Sequence, residues 1–79
     1  GLFVEHARHC FETLKDVDFE VGRCVIYLRK GDRMIKAYPH YNGLSEWVSF
    51  TDENGAIKNI IHHTAPKELF VETIKNLLK

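Results

Sequence analysis

Three short turn signals, each lying between two strand-like runs, constrain the fold of this chain more than any other feature. The turns are Lys30-Gly31-Asp32, Asn42-Gly43 and Asp52-Glu53-Asn54-Gly55. Asn-Gly is a strong two-residue hairpin signal because both residues tolerate a positive φ. Short turns join neighbouring antiparallel strands, whereas parallel strands need long crossover connections. The pattern therefore predicts an antiparallel meander.

The runs between these turns are rich in β-branched and aromatic residues, which favour strands. The predicted strands are residues 24–28, 34–38, 44–51 and 56–62. Trp47 stands in the centre of the third. Pro39 follows the second strand, and because proline has no N–H to donate, it predicts that this strand ends near a sheet edge.

The C-terminal residues have the periodicity of an amphipathic helix. Pro66 suits the first helical turn, where its missing N–H costs nothing. Phe70, Ile74, Leu77 and Leu78 then recur at the spacing of one buried helix face. We predict a helix over residues 66–78, with Phe70, Ile74 and Leu77 packed on the sheet.

The N-terminal segment carries two different patterns. Four apolar residues recur at helical spacing: Phe3, Ala7, Cys10 and Leu14. Three others alternate with acidic residues, as on a strand with one buried face: Val17, Phe19 and Val21. The sequence does not decide whether residues 3–14 form a helix or a strand. The predicted fold class is α+β, a small antiparallel meander of four to six strands packed against a C-terminal α-helix.

Length and charge limit the function further. The 79 residues are enough for one domain, residues 1–79, with little room for a deep catalytic cleft. The chain starts with Gly1, so we expect a module excised from a longer protein. The formal net charge is zero, which argues against a dominant nucleic-acid or membrane-surface role. No apolar run approaches a membrane span, and only two cysteines are present, as in a reducing cytoplasmic compartment.

The histidines and cysteines do not form a recognisable catalytic or metal motif. His6, His9 and Cys10 would share one helix face, and the pair His62-His63 could approach them, but the spacing matches no standard zinc site. GxSxG, Walker and HExxH motifs are all absent. We therefore predict no catalytic residue, no metal site and no cofactor.

The basic segment 23–36 is an alternative binding element. The segment has a net charge of +4. Tyr27 lies within it and Tyr38 lies just after it, so its hairpin could hold phosphates and stack bases. It could equally pair with the acidic segments on either side. We do not expect nucleic acid to be the principal partner.

The aromatic side chains outnumber what one small core hides, so we predict that some of them bind a protein partner. The chosen contacts are Tyr41, Trp47, Phe70 and Val71. We predict these contacts because the Asn42-Gly43 hairpin and the closing helix would flank one groove. An amphipathic helix could lay its apolar face there.

From residue 22 onward the chain resembles a polo box, which is an antiparallel meander followed by one long helix. The first hairpin of that family matches Cys24-Val25-Ile26-Tyr27-Leu28, then Lys30-Gly31-Asp32-Arg33, then Met34-Ile35. A later strand, Trp47-Val48-Ser49-Phe50-Thr51, runs into an acidic, glycine-containing turn, and the closing helix has the expected place and length. The compact form is most similar to the C-terminal (third) polo box of Polo-like kinase 4 type centriole kinases.

This resemblance implies a non-catalytic interaction module of a centriolar serine/threonine kinase. Its expected roles are dimerisation, centriole targeting, or binding of a scaffold protein's coiled-coil helix. The alternatives are a stand-alone adaptor or inhibitor of phage or immunity type, and a nucleic-acid binder that uses the basic hairpin 23–36.

Overall fold

The computed structural model describes the backbone of residues 2–79 and the side chains of residues 5–79. Along the chain, an N-terminal helix comes first, five strands that form one sheet follow, and a C-terminal helix comes last. The elements are α1 (Leu2–Thr13), β1 (Asp18–Val21), β2 (Ile26–Lys30), β3 (Arg33–Tyr41), β4 (Glu46–Asp52), β5 (Ile57–His62) and α2 (Lys67–Leu77).

The strands follow one another across the sheet in the order β1-β2-β3-β4-β5, and every neighbouring pair is antiparallel. The predicted α+β meander is therefore confirmed. The segment that fitted either helix or strand is helix α1, and residues 18–21 form the edge strand β1. Phe3 also belongs to the predicted helical pattern, but its side chain lies outside the described residues.

Both helices pack on the same side of the sheet, and the core lies between them and the strands. Cys10 and Leu14 of α1 and Phe70 and Ile74 of α2 join the inward side chains of the strands in one buried cluster. Phe50 of β4 meets Phe70 edge to face, with ring centroids 6.3 Å apart. The predicted helix face is thus confirmed, with Leu77 partly buried and Leu78 fully buried.

The turn between β1 and β2 differs from the sequence prediction, which placed Cys24 in a strand. Cys24 is exposed at the turn and has a φ of 61°. The N–H of Gly22 donates to the carbonyl of Val25 at 2.8 Å, which closes a two-residue loop around Arg23 and Cys24. Strand β2 therefore begins two residues later than the apolar run does, at Ile26.

The Asn42-Gly43 turn is present, but the two loop residues are Gly43 and Leu44. The N–H of Asn42 donates to the carbonyl of Ser45 at 3.2 Å, and Gly43 has a φ of 92°. The side-chain oxygen of Asn42 accepts from the N–H groups of Leu44 and Ser45 at 2.9 and 2.8 Å. Asn42 therefore holds the loop through its side chain instead of adopting a positive φ.

The prediction that Pro39 marks a strand end near a sheet edge is wrong, because Pro39 lies within the central strand β3, opposite Val48. The N–H of His63 donates to the carbonyl of Glu46 at 2.8 Å. Along an antiparallel strand, the backbone N–H and C=O groups of successive residues point alternately to the two neighbouring strands. Counted from that pair, the backbone groups of Val48 point to β5 and those of Pro39 point to β2. Strand β2 begins at Ile26, opposite Ala37, so it has no residue opposite Pro39. The missing N–H of Pro39 therefore costs no hydrogen bond between strands.

Candidate functional site

The side of the sheet that faces away from both helices is the candidate site, and we call it the open face. Side chains alternate between the two sides of each strand, and the buried core residues identify the covered side. The outward residues are therefore Asp18, Glu20, Tyr27, Arg29, Met34, Lys36, Tyr38, His40, Trp47, Ser49, Thr51, Ile57, Ile60 and His62. No helix or strand among residues 2–79 covers them.

The open face carries an apolar group that extends from β2 to β5. Ile57 and Ile60 of the edge strand β5 are 63% and 57% exposed, and Tyr27, Tyr38 and Trp47, on β2, β3 and β4, are half-buried. Most isolated apolar residues on a surface need no explanation, but a contiguous apolar group marks an interaction surface. The open face gathers two large aliphatic and three aromatic side chains on adjoining strands.

Two small polar residues of β4 lie beneath the larger side chains of the open face. Ser49 and Thr51 are only 7% and 4% exposed. Tyr38 and Ile60 flank Ser49, and Lys36 and Ile57 flank Thr51 in the strand register. The hydroxyl of Thr51 donates to the carbonyl of Asp52 at 3.0 Å.

Trp47 is the large aromatic residue of β4 on the open face. It lies between His40 of β3 and His62 of β5 in the cross-strand register. The His40 ring stacks on the indole with centroids 5.2 Å apart and an interplanar angle of 10°. This stacking fixes the indole on the open face and makes Trp47 a preorganised contact.

The outer edge of β5 is protected against pairing with another strand. Because Glu46 and His63 are a hydrogen-bonded pair, the alternation directs the backbone N–H of Ile60 away from β4. That N–H donates to the side-chain oxygen of Asn59 at 2.8 Å. A register shift at Phe50/Thr51 also distorts this edge. Both devices discourage the addition of another strand at β5.

Two of the five basic side chains of segment 23–36 form ion pairs within the molecule. Arg29 pairs with Glu20 at 2.7 Å, and its guanidinium lies 5.6 Å from the centre of the Tyr27 ring. Lys30 pairs with Asp16 at 3.1 Å, and this contact lowers the pKa of the Asp16 carboxyl. The acidic neighbours in the sequence therefore pair with part of the basic segment.

The structure does not bring the four predicted contact residues together on one exposed surface, although Trp47 and Phe70 line the same small cavity. Phe70 and Val71 are 2% and 8% exposed and belong to the core, because α1 packs beside α2 and closes the expected groove. Trp47 lies on the open face, and Tyr41 is 71% exposed near the β3–β4 turn. The sequence reasoning missed Tyr38, Ile57 and Ile60. The sequence does not show which side of the sheet the helices cover.

A second set of polar groups lies on the covered side, at the end of the sheet near α1. His6 is buried against Phe70, with ring centroids 4.4 Å apart, and burial lowers its pKa, with Lys67 adding to the effect. The Nδ1 of His63 lies 3.1 Å from the carbonyl oxygen and 3.3 Å from the N–H of Glu46. These contacts join α1 and the segment after β5 to the sheet, which is a structural role.

The remaining candidate chemistry is dispersed. Cys10 is buried, and burial raises the pKa of its thiol to about 11, whereas Cys24 lies exposed in the β1–β2 turn. Over the part of the chain that the structure describes, no three His, Cys, Asp or Glu side chains are grouped so that they could hold a metal ion. No helix within residues 2–79 has both the length and the apolar character needed to cross a membrane.

Comparison of the chain with protein-family models, with curated proteins and with solved structures found no match.

Proposed function

We propose that this chain is a non-catalytic protein-interaction module that binds its partner through the open face of the sheet. The observation that carries the proposal is the group of exposed and half-buried apolar side chains on a face that neither helix covers, with Ile57 and Ile60 most exposed. A rigid sheet supports these side chains, and the stacked Trp47 is already in position. Such preorganisation reduces the entropy lost on binding.

A protein partner fits this face better than nucleic acid does. The outward residues include two acidic side chains, Asp18 and Glu20, and two basic ones, Arg29 and Lys36, so the face has no net charge. Arg29 is already paired with Glu20. Binding to phosphates depends on available basic groups. An apolar protein surface needs none.

The resemblance to polo boxes supports a more specific proposal. On that ground we place the module in a centriolar serine/threonine kinase, in the cytoplasm and at the centriole or centrosome, with dimerisation or scaffold binding as its role. The stand-alone adaptor or inhibitor is the second candidate. The full open reading frame around residues 1–79 separates them, because a kinase domain in the same chain supports the first and its absence contradicts it.

The test of the face compares variants in affinity capture from cells that contain the natural protein. Wild type and Leu44→Ser, which changes an exposed apolar residue in the β3–β4 turn, should retain the same proteins. Trp47→Ala and Ile60→Asp should lose them. A buried tryptophan at an interface contributes about 2 kcal/mol or more, which is about 30-fold in Kd.

A triple variant with Ala at Arg29, Lys30 and Arg33 tests the electrostatic alternative. It should retain the same proteins as wild type, and circular dichroism should show that every variant remains folded. If the triple variant loses the partner while Trp47→Ala retains it, and if added salt abolishes binding, the interaction is electrostatic and the proposal is wrong.

A further inference from the structure

We infer that α1 is a pH-sensitive lid, which acidification detaches from α2 and the sheet while the sheet and α2 stay folded. The inference concerns the covered side of the sheet, so it is independent of the proposed binding through the open face. It rests on the burial of one imidazole, on the charged groups around that imidazole, and on the weak attachment of α1.

His6 is the polar side chain that α1 inserts into the core. It is only 4% exposed, and its ring lies against Phe70 of α2 with centroids 4.4 Å apart. It also lines a small cavity whose walls include Val48 and Ile61. Such apolar surroundings hydrate a charged imidazole poorly. Because His6 belongs to α1, its ring reaches water when α1 moves away from α2.

The charged groups around His6 do not compensate a positive charge on its ring. The titratable groups that face it from the packed elements are Lys67 of α2, Glu46 of β4, His40 of β3, His63 after β5, and Glu5 and His9 of α1 itself. Within residues 5–79, no carboxylate forms an ion pair with His6. Burial lowers the pKa of His6, and the ammonium group of Lys67 lowers it further. Protonation therefore favours the detached position of α1, where the imidazolium is hydrated.

The rest of α1 attaches weakly. Among residues 5–13, Cys10 is the other fully buried side chain, and Ala7 is partly buried. The last turn contains Glu12 and no basic residue, which is unfavourable to the helix dipole. A helix of 12 residues is marginal in water without tertiary packing. Elements with few buried contacts open at the lowest free energy, so α1 is the element that we expect to detach first.

The sheet and α2 keep a core of their own when α1 leaves. Phe50 of β4 meets Phe70 of α2 edge to face, and Ile74 and Leu78 belong to the same buried cluster as the inward side chains of the strands. Detachment uncovers Phe70 and its neighbour Val71, which lies between α2 and α1. Acidification would thus give the molecule a second apolar surface.

Cys10 is a natural reporter of the lid, and the exposed Cys24 is its internal reference. Limiting dithiodipyridine labels both thiols, and peptide mass spectrometry separates them. Because the thiolate fraction of an accessible thiol falls with pH at both positions, the ratio of the Cys10 rate to the Cys24 rate measures the detached fraction. From pH 7 to pH 5 this ratio should rise by at least about threefold, and one histidine limits the rise to about 25-fold. A smaller rise overturns the inference.

Variants identify the titrating group. His6→Phe keeps a ring against Phe70 but cannot be protonated, so its ratio should not change with pH, and His6→Gln replaces it if His6→Phe does not fold. His62→Gln, at an exposed position outside the cavity, is the matched control and should respond as wild type does. A response that persists in the His6 variants, or that is lost in His63→Gln instead, assigns the titration elsewhere and overturns the inference.

Lys67→Gln gives an electrostatic readout at an exposed position in the first turn of α2. Removal of the ammonium group makes His6 easier to protonate in place, so the rise in the labelling ratio should be smaller than in wild type. A larger rise would contradict the electrostatic basis of the lid.

Urea dependence and hydrogen exchange separate detachment from global unfolding. The opening that exposes Cys10 should depend on urea less than global unfolding does, because it exposes less surface. At pH 5 the amides of α1 should open at least about tenfold more often than those of β3 and β4. Equal urea dependence and equal protection would mean that the whole domain opens and that α1 is not a lid. Neither result bears on the open face, which Trp47→Ala and Ile60→Asp test.

Discussion

Truncation of Ile74 tests the packing on which the open face depends. Ile74 is buried in α2 and belongs to the core cluster with Phe50 and Phe70. Ile74→Ala removes three carbon groups, and at about 0.8 kcal/mol each their lost burial costs about 2.4 kcal/mol. A partly collapsed cavity adds about 1 kcal/mol. We therefore expect the free energy of unfolding to fall by about 2.5–4 kcal/mol, a large share of the roughly 4–12 kcal/mol expected for this size.

Urea unfolding, followed by Trp47 fluorescence and by circular dichroism, measures this loss. With an m-value of about 1 kcal/mol/M, the midpoint should fall by about 2.5–4 M. Leu69→Ala is the matched control, because Leu69 is an exposed apolar residue of the same helix, and it should cost less than about 1 kcal/mol. A loss below about 0.5 kcal/mol for Ile74→Ala would mean that α2 does not cover the sheet on this side.

Three further predictions concern titration, thiol reactivity and metal. Because burial lowers the pKa of His6 in the folded chain, the unfolded chain binds its proton more readily, so stability is complete above about pH 6.5 and declines as the pH falls below that value. The melting temperature should therefore fall between pH 7 and pH 5 in wild type, and it should fall less in His6→Gln. A thiol reagent at neutral pH should modify the exposed Cys24 rapidly and Cys10 only on unfolding. The reason is that the thiolate is the reactive form and burial raises the pKa of Cys10 to about 11. Fast modification of both thiols would contradict the burial of Cys10. EDTA should leave the melting temperature unchanged, and a decrease of many degrees would require a structural metal.

Local patterns were sufficient to predict most of the fold. The spacing of Phe70, Ile74 and Leu78 defines α2, and the turn residues around Gly31, Gly43 and Gly55 separate the strands. The prediction failed at Cys24, where the apolar run continues into the turn, and at Pro39, where the missing N–H favoured a position near a sheet edge. Strand ends there depend on which residues pair across the sheet, and that register is set by contacts between distant parts of the chain.

The binding face was only partly predictable. The sequence indicated an excess of aromatic residues and singled out Trp47, but Phe70 and Val71 were also predicted as partner contacts. Those two residues are buried because α1 packs beside α2. From sequence, residues 3–14 had helical spacing, but the choice between helix and strand was left open. Without the position of α1, the covered and the open side of the sheet could not be distinguished.

The most direct test of the central claim maps the contact on the folded domain. A ¹H–¹⁵N NMR titration with the partner that affinity capture recovers reports which backbone amides change. We predict that the shifted amides cluster on the open face, around Tyr38, Ser49 and Ile60. Shifts that cluster instead on the hairpin from Arg29 to Arg33, or on the outer surfaces of α1 and α2, would contradict it.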